Sequence, residues 1–265
     1  MRACILFLSL VFLGSPASAD MRQVCTLIVD TSTGAVLLEE GECDTRTTPA
    51  STFKLALAVI GFDSGVLIDA RNPRLPFQPG DPDWGGAEWT RETDPERWLK
   101  YSVVWYSQRI TRALGAATLT RHAQAMRYGN ADFTGDAGFD NGLERAWIAS
   151  SLEISPREQV AFLRGLVNGT LPASASAMAR TREIVERRDI SGWQVWGKTG
   201  AAYPRRADRS FDYAQGRGWF VGWAEHDGRR VVFARLMQAT ARTEASPGNL
   251  TRDRFLAELP GLMAR

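Results

Sequence analysis

A hydroxyl and an amine stand three residues apart in Ser51-Thr52-Phe53-Lys54, and this is the pair in the chain best suited to do chemistry. On a helix, residues three apart share a face, so the Lys54 amine can reach the Ser51 hydroxyl and take its proton. Deprotonation turns a weak alcohol into a nucleophile. Thr48-Pro49 reads as a helix start, with Thr48 the cap and Pro49 the first helical residue. That places Ser51 in the first turn and Lys54 one turn on. The spacing alone occurs by chance roughly once in a chain this long, and it equally suits a plain helix start with a solvated lysine.

A second motif shifts that balance. Lys198-Thr199-Gly200 falls in a strand-like run and is expected by chance in only about one chain in twenty of this length. An edge lysine and hydroxyl can bind an anionic group, and the glycine permits close approach. There are two histidines: His122 lies in a helical stretch and His226 at a hairpin turn, so both read as surface residues. No H-E-x-x-H, G-x-S-x-G or Walker loop is present. A hydrolytic serine here needs a base other than histidine, and Lys54 is the candidate.

The elements that must position these groups follow from periodicity. Thr26–Asp30 and Ala35–Glu39 read as strands joined by Thr31–Gly34, leading into a helix that continues Leu55–Ile60. Residues 70–95, rich in Pro, Gly and Asp and carrying Trp84 and Trp89, read as an irregular excursion. Apolar residues at three- and four-residue spacing predict helices over Trp98–Ala113, Leu119–Met126 and Pro156–Leu166. Trp193–Gly200, Gly218–Ala224 and Arg230–Leu236 read as strands, the last two joined by His226-Asp-Gly-Arg229. A helix over Thr251–Leu259 follows. Strands at both ends and helices between them predict an α+β fold: an antiparallel sheet built from both termini, flanked by helices, with a mainly helical lobe and a site between the parts.

Residues 1–19 read as a cleavable signal: Arg2, an apolar run Ile5–Leu13, and Ala17-Ser18-Ala19 before the cut. The expectation is export to the periplasm and a single catalytic domain over residues 20–265, with no later segment suited to span a bilayer. Net charge is +2 and the arginines are scattered, so neither nucleic acid nor a membrane surface is expected as partner. Cys25 and Cys43 bracket the first hairpin and are expected to form a disulfide in an oxidising compartment, with two free buried thiols the alternative. A cysteine nucleophile and a metal site are not expected.

Ser51-Thr-Phe-Lys54 and Lys198-Thr-Gly200 are the motif pair of serine β-lactamases and penicillin-binding proteins. The S-D-N element of class A enzymes is missing. Instead the chain carries Ser102-Val-Val104, Tyr128-Gly-Asn130 and Ala146-Trp-Ile-Ala-Ser-Ser-Leu152. In that order, these motifs resemble the class D β-lactamases, the oxacillinase family, over essentially the whole mature chain. The resemblance implies a penicillin-binding-transpeptidase-like fold and a hydrolase acting on cyclic amides. It makes Ser51 the nucleophile and Lys54 a lysine N-carboxylated by CO2, with no other cofactor and no metal. Trp147 matches the tryptophan that donates to the carbamate, where its plain reading is a packed core aromatic. Val104 and Ile148 match the apolar screen. Ser102 and Lys198 would pass a proton to the leaving nitrogen, and Thr199 would meet the substrate carboxylate. Gly200 leads to Ala201, whose backbone N–H forms the oxyanion hole with that of Ser51. A carboxylate-binding arginine is expected from the last helix, Arg252 or else Arg254. Tyr128-Gly-Asn130 is structural support. Small β-lactams are the expected partners, to a monomer or a homodimer. Ala201-Ala202 and the charged run Arg205-Arg-Ala-Asp-Arg209 set this chain apart within the pattern. The competing readings are a β-lactam sensor and a cell-wall peptidase, both of which acylate without efficient turnover.

Overall fold

The computed structural model describes residues 21–264; the signal segment read over residues 1–19 lies outside them. Strands β1 (Met21–Asp30) and β2 (Val36–Gly41) form the first hairpin. The Asp30 carboxylate accepts from the backbone N–H groups of Ser32 and Thr33, which closes the turn locally. Cys25 and Cys43 are joined in a disulfide, with Cα atoms 5.1 Å apart. Closing a loop of this length stabilises the fold by about 3 kcal/mol, chiefly through the unfolded chain.

The middle of the chain is helical: α1 (Phe53–Asp63), α2 (Pro95–Tyr101), α3 (Val104–Ala125), α4 (Gly142–Arg145), α5 (Pro156–Asn168) and α6 (Ala175–Glu183). Helix α1 is buried on every side from Phe53 to Phe62, which makes it a central helix rather than a surface one. Helix α5 carries its own start and stop signals. Ser155 and Glu158 form a capping box, Pro156 opens the helix, and Gly169 ends it in the left-handed conformation.

Strands β3 (Arg187–Ile190), β4 (Trp193–Ala202), β5 (Arg217–His226) and β6 (Arg229–Ala239) follow, and helix α7 (Pro247–Met263) closes the chain. All neighbouring strands are antiparallel, in the order β2-β1-β6-β5-β4-β3, so both termini build one six-stranded sheet. On one face Phe255 and Leu259 of α7 pack against Phe220, Phe233 and Val195. Each such buried side chain contributes about 1.5–3 kcal/mol. On the other face α1 and α5 pack against Leu27, Val221 and Ala234.

The sequence reading differs from this at two places that matter. The helix predicted over Trp98–Ala113 is broken: α2 ends at Tyr101, and Ser102 takes the left-handed conformation (φ 60°, ψ 33°) before α3 starts at Val104. The Val103 N–H bonds back to the Trp98 carbonyl, the closing bond of a Schellman-type end usually made with glycine. Strand β3 was not foreseen, because Arg-Arg-Asp-Ile lacks apolar alternation.

Candidate active site

The nucleophile sits on a turn rather than in the first turn of an α-helix. Ala50 has a left-handed φ of 49°, a 3-10 turn spans Ala50–Thr52, and α1 begins only at Phe53. Thr48 therefore does not cap this helix; its hydroxyl bonds instead to the backbone of Trp147 and Ala149. The three-residue spacing still works. The Lys54 Nζ donates to the Ser51 Oγ at 3.1 Å. Lys54 is 0% exposed, and burial, reinforced by the nearby charge of Lys198, pulls its amine well below the ordinary lysine pKa. Burial thus favours the uncharged amine, the form that can accept the proton of Ser51.

Two buried polar groups of the remaining motifs have no partner. The Ser102 Oγ and the Trp147 Nε1–H are both buried and make no hydrogen bond. Buried orphans of this kind cost free energy and are rare, so each marks a place suited to a ligand atom. The left-handed backbone of Ser102 adds strain of the sort that collects at functional sites. Trp147 is fully buried and packs on Phe53, ring centroids 5.4 Å apart. Val104 and Ile148 line the same cleft and supply apolar walls.

The opposite wall is β4. Strand β3 pairs it only as far as Trp196, so the edge from Lys198 onward is left open toward the cleft. Gly200 lies close against the nucleophile turn: a Cβ there would come within 2.9 Å of the Pro49 carbonyl and 3.1 Å of the Thr52 side chain. Glycine is what lets strand and turn meet. Lys198 is 4% exposed and its Nζ donates to the Thr199 carbonyl at 3.0 Å. Burial lowers its pKa to about 7, the Glu186 carboxylate opposing that fall and the Arg252 charge adding to it. Thr199, Ala201 and Arg252 line the cleft as well. Arg252 is held by Asp253 and Asn249, whereas Arg254 turns away to Glu258 and the Met21 carbonyl. Of the two, Arg252 lines the cleft.

Ser51, Ser102, Val104, Ile148, Lys198, Thr199, Gly200, Ala201 and Arg252 share one cleft of about 670 Å³, whereas Lys54 and Trp147 are fully buried and do not line it. The sequence reading missed part of its lining. Glu186, just before β3, and Arg188, within it, line the cleft, as does the exposed Trp84, whose ring lies tilted against Trp89 with centroids 4.4 Å apart. Neither histidine lines the cleft; His122 is 3.9 Å from Asp63, and His226 stacks on Trp193. Among the described residues no cluster of three or more His, Cys, Asp or Glu could hold a metal.

Comparison with known proteins agrees with this geometry. Residues 24–256 match the family described as the penicillin binding protein transpeptidase domain. The β-lactamase OXA-9 of Klebsiella pneumoniae is 40% identical over 253 residues, covering 95% of this chain and 92% of that protein. The crystal structure of OXA-427, a class D β-lactamase, superposes with a TM-score of 0.83 at 43% identity, covering 91% of this chain and 98% of that one. This chain belongs to the class D β-lactamase family. The β-lactamase OXA-1 of Escherichia coli is a more distant member, 33% identical over 86% of this chain and 84% of its own length. The class D fold is thus the frame on which the open edge of β4, the turn before α1 and the break between α2 and α3 converge.

Proposed function

We propose that this chain hydrolyses the β-lactam amide of penicillins and cephalosporins through an acyl-Ser51 intermediate and so confers antibiotic resistance. The observation that carries this reading is the 3.1 Å contact between Ser51 and a fully buried Lys54. Lys54 takes the Ser51 proton as the Oγ attacks the lactam carbonyl. The resulting oxyanion is held by the backbone N–H groups of Ser51 and Ala201. As the C–N bond breaks, the leaving nitrogen takes its proton from the Ser102 hydroxyl, with Lys198 replenishing it. The substrate carboxylate meets Thr199 and Arg252. In the second half Lys54, its first proton having passed back through Ser102 to Lys198, takes a proton from the water that attacks the acyl carbon and hands it to the departing Ser51 oxygen.

The residues around Lys54 fit a CO2-derived carbamate. Only a neutral amine adds CO2, and burial shifts Lys54 toward that form. The orphaned Trp147 Nε1–H would hold it, and Val104 and Ile148 would shield it from water. When bound, the carbamate supplies an anionic oxygen base in a dry pocket. Export to the periplasm belongs to the same proposal, supported by the signal-like residues 1–19 and by a disulfide suited to an oxidising compartment.

Incubation with a chromogenic cephalosporin tests the function. Many turnovers per enzyme are expected. A single burst equal to the enzyme concentration, with a stable adduct on Ser51 by mass spectrometry, would instead establish a sensor or cell-wall peptidase.

A further inference from the structure

We infer that Thr48 is a positioning residue whose hydroxyl holds the Trp147–Ala149 segment so that the indole N–H faces Lys54. This rests on the carbamate reading and extends it to a residue outside the cleft. The Thr48 Oγ donates to the Trp147 carbonyl at 2.9 Å and accepts from the Ala149 N–H at 3.1 Å. One hydroxyl thus spans both ends of a three-residue segment that carries the indole and its apolar neighbour Ile148. Ala149, at the far end, has a left-handed φ of 50°, a conformation that a non-glycine residue keeps only when its surroundings impose it. The Thr48 oxygen on its N–H is such an imposition.

Thr48 is itself fixed from the other side. Its carbonyl accepts from the Trp219 Nε1 of β5 at 3.0 Å, and Thr47 bridges to Ile154 by two backbone bonds. Pro49, Ala50 and Ser51 follow directly. The same short stretch therefore sets the turn that presents the nucleophile and the turn that presents the indole. Contacts 99 and 101 residues apart in sequence tie one to the other. A small cavity of about 180 Å³ opens beside Thr48, Ala149 and Ser150. Water can enter there and satisfy the backbone groups if the hydroxyl is lost, so a Thr48→Val chain keeps its fold while the segment loses its register.

Enzyme equilibrated with 13C-bicarbonate gives the readout: the carbamate carbon resonance as a function of bicarbonate concentration. In Thr48→Val, half-saturation is expected to rise about five- to tenfold, as the loss of one ordinary hydrogen bond predicts. Thr48→Ser, which keeps the hydroxyl, restores the original value. In a Trp147→Phe background Thr48→Val adds nothing further, because the two act through one group. A Thr48→Val curve that overlays the wild-type curve overturns the inference, and so does a full additive effect in Trp147→Phe. Wild-type enzyme with no such resonance overturns the carbamate reading, and this inference with it.

Discussion

Two lysines lie close enough for the charge of one to act on the other, both almost fully buried, and their surroundings separate them. Lys54, on α1, has the Ser51 hydroxyl as its partner and the charge of Lys198 against it, so burial drives its amine far down. Lys198, on the open edge of β4, has the Glu186 carboxylate pulling the other way and stops at about 7. One fold thereby holds two amines lowered by burial to different degrees. Groups of one type whose environments push their pKa values apart suit the roles of base and acid, and the proposed mechanism gives the base to Lys54 and the cationic role to Lys198.

The sharpest way to break that assignment is Lys54→Met, which keeps the packing and removes the base. A loss of about 10²–10⁴ in kcat/KM is expected. Activity within a few-fold of the original would dismiss Lys54 as base. Stability should move the opposite way. At neutral pH the unfolded chain holds a proton on Lys54 that the folded chain lacks, so the lysine penalises folding. The penalty is full below the lowered folded pKa and fades as pH rises toward the ordinary lysine value. Lys54→Met is therefore expected to have a higher Tm near pH 7, the gap to the original closing toward pH 10.

How much of this contrast could be read from sequence depends on how local it is. The Ser51–Lys54 contact was legible because a three-residue spacing brings the two together whether the turn is 3-10 or α. The sheet was legible too: the late strands extend at both ends but keep the predicted hairpin, with Asp227 and Gly228 both left-handed as a two-residue turn demands. Ser102 was placed on the right stretch and in the wrong conformation, since the apolar period runs unbroken from Trp98 and no glycine marks the stop. Thr48 was read as a cap because caps are the local use of threonine, and its actual partners lie 99 and 101 residues on in the chain. Glu186 carries no motif at all; only the register of β3 against β4 brings it to the cleft.

A smaller effect separates the substrate end of the cleft from the base end. Arg252 lines the cleft beside Lys198 and Thr199, and Arg254, two residues on, does not. Arg252→Ala should raise KM about tenfold for a carboxylated β-lactam, the loss of one charge-assisted hydrogen bond, with kcat little changed. Arg254→Ala should leave both parameters near their original values. If Arg254→Ala raises KM and Arg252→Ala does not, the carboxylate site lies elsewhere on α7.

The finest test acts on Lys198 without touching it. Glu186 holds the Lys198 pKa up against burial, so Glu186→Gln removes the opposing charge and lets it fall below about 7. If the cationic form of Lys198 attracts the substrate carboxylate, the alkaline limb of kcat/KM near that pH moves to lower pH in Glu186→Gln. At pH 8 the expected loss is only a few-fold, because Arg252 still supplies a positive charge. The acidic limb, set by Lys54, should barely move, because burial and the charge of Lys198 are what lower that amine. A profile in which both limbs shift together would mean that the two lysines titrate as one coupled unit. The contrast between them would then belong to the pair rather than to its members.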